Sequence, residues 1–295
     1  MGKDSRKQGW SRWHLPLLLL GAVVFVVAVG RIRASMDRLP YPVCVMISEY
    51  PNLLVRGVED AAIVYEWLEV DGSTRLLAVF TRRTDSLIGP VAPLGLGGAD
   101  LAYTYGAVVC STMDQETRSY IRCRMTPLMV HEAAEEYVTI DQSLQNLERL
   151  RYRLLPEEDY MMKRGSAKAG GSPAPVVVGK KDDGTEVFRW DWDGRRYRRK
   201  VGDSTVGVSA LVILHALDVD TGPDAFPDGA FRADGERAFI YAGGRGTQAS
   251  WIRRLFPGPI VLQMGDIVGA PLPRGPVWFH ILARDAGYRV AAVPE

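Results

Sequence analysis

The alternation of apolar and polar positions divides this chain before any chemistry is considered. Residues 15–30 read LPLLLLGAVVFVVAVG and carry no charge. A bilayer-spanning helix needs about 20 apolar residues, a length this run reaches by recruiting Trp13, His14 and Ile32 at its ends. Lys3, Arg6, Lys7 and Arg12 precede it, and Trp10 and Trp13 sit where interfacial aromatics rest at headgroup level. Ala28 and Gly30 offer small residues for signal-peptide cleavage, but Arg31 and Arg33 directly afterwards are poor cleavage context. An uncleaved signal-anchor is therefore expected, a single transmembrane helix with the bulk of the chain extracytoplasmic.

Beyond it the period changes to that of strands. Residues 43–47 (VCVMI) open the first β-type run. Residues 62–70 and 73–80 are β-branched and aromatic runs around Asp71-Gly72, a two-residue hairpin signal. A two-residue turn sets Leu68 opposite Arg75 and Glu66 opposite Leu77, placing Glu66 and Arg75 on one face as a charge pair. Residues 105–112 form another strand candidate. Leucines 144, 147, 150 and 154 predict a helix over 142–155, capped by Asp141. After it, residues 163–175 (KRGSAKAGGSPAP) read as a linker. Residues 187–192 and 195–200 flank Asp193-Gly194, a second hairpin pairing Trp190 with Tyr197, and strand-like runs follow at 206–214, 238–242, 260–264 and 277–283. The fold class expected is α+β: a basic tail and transmembrane anchor over 1–35, a mixed α/β domain over 40–160, a linker over 161–176, and a β-rich domain over 177–295.

Composition supports two globular domains and little else. At 295 residues, 47% hydrophobic and 24% charged, with a net charge of +1, the chain is neither disordered nor fibrous. It has no global positive field to attract phosphate, so no nucleic acid is expected as a partner. Three cysteines (Cys44, Cys110, Cys123) make no CxxC pair, and the four histidines are scattered. Neither a metal nor a cofactor is expected.

Among local motifs, Gly244-Arg245-Gly246-Thr247-Gln248-Ala249 fits G-x-G-x-x-A, but too few residues follow for a crossover helix before Pro257, so a glycine-rich turn is the better reading. Arg195, Arg196, Arg198 and Arg199, interleaved with Tyr197 and following Trp190 and Trp192, form a candidate patch for an anionic polymer. The alternative is an arginine-covered strand surface. Exported, such a patch meets cell-wall polymer or anionic headgroups first. No G-x-S-x-G elbow and no H-E-x-x-H is present. Cys110 reads as a buried, inert thiol, and Asp114, Glu116, Glu132, Glu135 and Glu136 as surface charge.

Tyr65-Glu66, then Gly72-Ser73-Thr74-Arg75, Ala78-Val79-Phe80 and Ile88-Gly89-Pro90-Val91, together resemble the YerB-like bacterial lipoproteins, a family built on two domains of unknown function. Trp190, Tyr197-Arg198, Gly244 to Gly246, Trp251 and Val277-Trp278 fit its second domain. The resemblance implies a polar ligand pocket, here reduced to Glu66, Thr74 and Arg75 with Gly89 and Pro90 on its rim. Arginines that family members usually carry after the I-G-P-V turn are replaced by Ala92 and Gly95, their His-plus-Gly-Gly element by Cys110-Ser111-Thr112, and the lipobox cysteine is missing near the apolar run. The function expected is that of a membrane-anchored ligand-binding or accessory module of the envelope, its partners the membrane and a wall polymer or envelope protein. The alternative is a hydrolase or transferase acting on wall polymer.

Overall fold

The computed structural model describes residues 19–20, 23–25, 37–48, 54–68, 73–123, 128–149, 171–181, 183–216, 233–253, 259–283 and 288–293. Residues 1–38 form one unit and residues 39–295 a second, compact one. In the first, residues 19–20 and 23–25 are helical and exposed. Among the described residues no helix is long and apolar enough to cross a membrane; most of the expected anchor lies outside them.

The second unit is built on strands. The N-terminal segment supplies β1 (Arg38–Ser48), β2 (Ile63–Leu68), β3 (Thr74–Arg82), β4 (Ala107–Cys110) and β5 (Met129–Glu132). The expected linker is itself part of the sheet at its end, where β6 (Ser172–Pro173) pairs with a later strand; then come β7 (Val176–Lys181), β8 (Glu186–Trp192), β9 (Tyr197–Val201), β10 (Ser204–Val208), β11 (Ala210–Ala216), β12 (Ala233–Ala242), β13 (Arg245–Arg253), β14 (Val261–Met264), β15 (Ile267–Val268), β16 (Val277–Ala283) and β17 (Tyr288–Val293). One mixed sheet runs β15-β14-β13-β12-β11-β16-β2-β3-β1-β4-β5, with β6 beside β13, and a smaller antiparallel sheet runs β10-β9-β8-β7-β17. Parallel pairing occurs at β11–β16–β2 and at β1–β4–β5. The segments expected as separate domains thus share a single sheet, joined where β16 pairs with β2.

Both faces of the central strands are covered, which is why residues 43–47 of β1 and 210–214 of β11 are apolar and buried throughout. On one face Tyr65, Leu77, Val212 and Phe279 pack beneath α1 (Leu96–Ala102) and α2 (Gln115–Arg122). On the other, Val64, Leu76, Leu211 and Trp278 meet the smaller sheet through Val177, Trp190 and Tyr197, and meet α3 (Ile140–Glu148) through Leu144 and Leu147.

Four expectations are corrected. In the first hairpin Glu66 faces Leu76 and Trp67 faces Arg75. Leu68 pairs with Thr74 across an odd number of residues, whereas a two-residue turn requires an even number. The tip, 69–72, lies outside the described residues. In the second hairpin Trp192, not Trp190, faces Tyr197. The amide of Asp193 donates to the Arg196 carbonyl (3.0 Å), so the turn is Gly194-Arg195, with Gly194 at φ +90°. The third correction concerns the helix α3, which begins two residues early because Thr139 caps it, accepting from the Gln142 amide (3.3 Å); residues 150–155 are not among those described. Lastly, the run 206–214 is two strands in two sheets: Val206 and Val208 alternate with more exposed neighbours, whereas 210–214 is buried throughout. The break falls at Ser209, whose amide donates to the Pro276 carbonyl (2.8 Å).

Candidate functional site

Glu66 stands on β2 beside His280 of β16, and the parallel register points both side chains toward the smaller sheet. The arginine that reaches it is Arg199. On β9 the residues Tyr197, Arg199 and Val201 turn inward while Arg198 and Lys200 turn to solvent. Arg199 Nη1 lies 2.6 Å from Glu66 Oε2, with side-chain exposures of only 10% and 6%. Trp278 Nε1 donates to the same oxygen at 2.6 Å. His280 Nδ1 is 3.3 Å from it, and His280 Nε2 is 3.0 Å from Trp190 Nε1. An indole nitrogen only donates, so Nε2 accepts from Trp190 and Nδ1 carries the proton aimed at Glu66. Phe188 stacks on the imidazole at 3.8 Å, and the Arg199 guanidinium sits 5.7–5.9 Å from the Phe188, Trp190 and Trp278 rings.

The electrostatics follow from this enclosure. Burial pushes the Glu66 carboxyl up, but the Arg199 and His280 charges with the Arg199 and Trp278 hydrogen bonds outweigh it, and the net shift is downward. Burial pushes His280 down to about 4, against the pull of Glu66 and with the repulsion of Arg199. The cluster is a satisfied ion pair between two sheets.

Arg75, the expected partner of Glu66, lies on the opposite face of β3 and donates to Ser48 Oγ (2.7 Å). Thr74 is half-buried on the Glu66 face. Gly89 and Pro90 are buried at the margin of the sheet, where Gly89 bridges Arg56. A Cβ on Gly89 would meet the Glu136 carbonyl oxygen at 2.6 Å, so this glycine serves packing. The five residues do not converge on one pocket. The arginine patch is also divided: Arg195, Arg196 and Arg198 are exposed, Arg198 pairing with Asp193, while Tyr197 is buried and donates to the Ala174 carbonyl (2.9 Å).

The other chemical candidates are closed as well. All three cysteines are free, and only Cys123 is exposed. Burial, followed by the neighbouring Glu132 carboxylate, pushes the Cys110 thiol up to about 12, far from a thiolate nucleophile at neutral pH. The glycine motif is the β12–β13 turn, where Gly243 and Gly244 both have positive φ between the paired Ala242 and Arg245.

One open feature escaped the sequence reading. Between α2 and the edge strand β5 lies a groove of about 250 Å³ lined by Met113, Ile121, Leu128, Met129 and Val130, with Arg118 and Arg122 as its charged groups. The cap of α2 was legible: Asp114 accepts from the Thr117 amide (2.6 Å), and Arg118 and Arg122, four apart, share one helix face. Arg118 is held by Glu132 (2.6 Å). What the sequence could not show is that β5 is an edge and that Leu128 and Val130 form the wall opposite that face.

Residues 32–162 match the family described as protein of unknown function (DUF3048), N-terminal domain. No curated protein matches the sequence. Among solved structures, the chain is similar to the YerB protein from Bacillus subtilis, with a TM-score of 0.65 and 18% identity over 87% of this chain and 94% of that one. These comparisons match residues 32–162 to the DUF3048 N-terminal domain and show that the chain has a YerB-like fold.

Proposed function

We propose that this protein is a binding or accessory module of the cell envelope, held at the membrane by the apolar segment 15–30 with its globular part outside the cytoplasm. The groove between α2 and β5 carries this reading: an apolar floor with two guanidinium groups and no carboxylate among its lining residues is built to hold a ligand. The polar groups that chemistry would need, Glu66 and His280, are instead engaged with Arg199, Trp278 and Trp190 in the core.

Two measurements test it. The full chain, immobilised and exposed to envelope extract at low and high salt, should retain a ligand that an Arg122→Glu variant releases; equal retention by both removes the groove from the account. Cys123, exposed where Cys44 and Cys110 are buried, should react with a membrane-impermeant maleimide in intact spheroplasts. Labelling only after lysis would place the globular part inside.

A further inference from the structure

The groove lies against the free edge of a sheet, and that edge narrows what can occupy it. β5 ends the strand order, and among the described residues no strand pairs with its outer side. The Met129 amide donates to the Gly106 carbonyl (2.9 Å) and the Ala133 amide to the Cys110 carbonyl (2.8 Å), both toward β4. Backbone groups alternate along a strand, so the amides of Val130 and Glu132 point to the open edge. Beside them, Met113, Ile121 and Val130 are half-buried at the margin of the core and continue its apolar surface outward. Arg118 and Arg122 then set the sign of the site. Arg118 is oriented by Glu132, whereas Arg122 is exposed and pairs with no carboxylate among the described residues.

We infer that the groove and the free edge of β5 together receive an extended acidic peptide segment of a partner protein, added to the sheet as one more strand. This rests on the binding-module reading above and names its ligand. The edge supplies main-chain hydrogen bonds, the apolar floor takes alternate side chains, and the Arg122 guanidinium, beside an Arg118 already engaged by Glu132, selects a carboxylate among the others. An anionic lipid headgroup would satisfy the arginines but leave the edge amides unused. The opposite edge is shorter: β15 has two residues, the exposed Ile267 and Val268.

The test uses the full chain and a fluorescent peptide of alternating glutamate and valine, followed by anisotropy. Binding is expected to weaken at least tenfold in Arg122→Glu, whose exposed position leaves thermal unfolding unchanged, and to weaken steeply with salt. It should be lost when proline replaces alternate residues of the peptide, because proline removes strand-pairing amides. A lysine-valine peptide binding equally well would overturn the charge assignment, and a proline-substituted peptide binding equally well would overturn strand addition. If phosphatidylglycerol vesicles or a second copy of the chain occupy the groove and the acidic peptide does not, the ligand class is wrong while the binding module stands. If Arg122→Glu alters neither peptide binding nor retention from envelope extract, both readings fall.

Discussion

Glu66 illustrates how a residue can be conspicuous in the sequence while its role is not. A carboxylate inside an apolar strand requires a partner, and Arg75 was the nearest in sequence. The partner is Arg199, 133 positions away, with Trp278 and His280 completing the shell. Removing one member of a buried pair leaves a charge without compensation, which costs about 3–5 kcal/mol; Arg199→Ala should lower unfolding free energy by that order in urea titrations, whereas Arg198→Ala, at a pair exposed to solvent, should leave it nearly unchanged. His280 adds a pH dependence. Its ordinary value is 6.5 and burial holds it near 4. Between those values the unfolded chain binds a proton that the folded chain refuses, so stability is full above about pH 6.5 and falls as pH falls through the window. One such proton contributes a slope of at most about 1.4 kcal/mol per pH unit. Glu66, shifted downward, adds a further loss below its ordinary 4.5. His131 and His215 shift in the same direction as His280, so His280→Gln should reduce the slope between pH 6.5 and 4 without abolishing it. An unchanged slope would mean that His280 is not neutral in the fold.

At the scale of elements, turns decided what local propensity left open. Each hairpin had the right strands and the wrong pairing, because a glycine marks a turn without fixing how many residues, or which, occupy it. An error of one residue exchanges the faces, and this separated Glu66 from Arg75; an error of two preserves them, and Tyr197 still points inward. Two turn glycines provide a test. Gly265 has φ +56° and open space around an added Cβ, while Gly244 has φ +72° with the Trp192 indole 2.8 Å from that position. Alanine at Gly265 should cost about 1–2 kcal/mol for left-handed backbone alone, and alanine at Gly244 should cost at least about 1 kcal/mol more because the indole must also move. Equal losses in thermal melts would show that Trp192 yields freely. The same scale explains the missed groove: α2 carries its own cap and arginine spacing, but a helix becomes one wall of a site only when a neighbouring strand supplies the other.

Across the whole molecule, the seam between β16 and β2 joins the N-terminal and C-terminal halves into one sheet. Two buried ion pairs join the segments on either side of it: Glu66 on β2 to Arg199 on β9 over one face of the sheet, and Asp100 on α1 to Arg253 on β13 (2.5 Å) over the other. Residues 39–162 expressed alone would expose the β2 edge, leave both carboxylates without their arginines, and uncover apolar Val64 and Leu76. That fragment is expected to aggregate or remain unfolded, whereas the whole chain should unfold 39–295 in one cooperative transition by calorimetry. A folded, monomeric fragment would show that the seam is dispensable.

The sequence by itself determined the strand-rich character, most strand positions, the turn at the glycine motif and a resemblance confirmed as DUF3048 over residues 32–162, because these depend on periodicity and short-range backbone preference. Tertiary structure alone decided that one sheet unites both halves, that Arg199 rather than Arg75 meets Glu66, and that an edge strand and an arginine-bearing helix enclose a groove. Those outcomes depend on contacts between residues far apart in the chain, and a local pattern of polar and apolar positions is the same whichever distant strand arrives to pair with it.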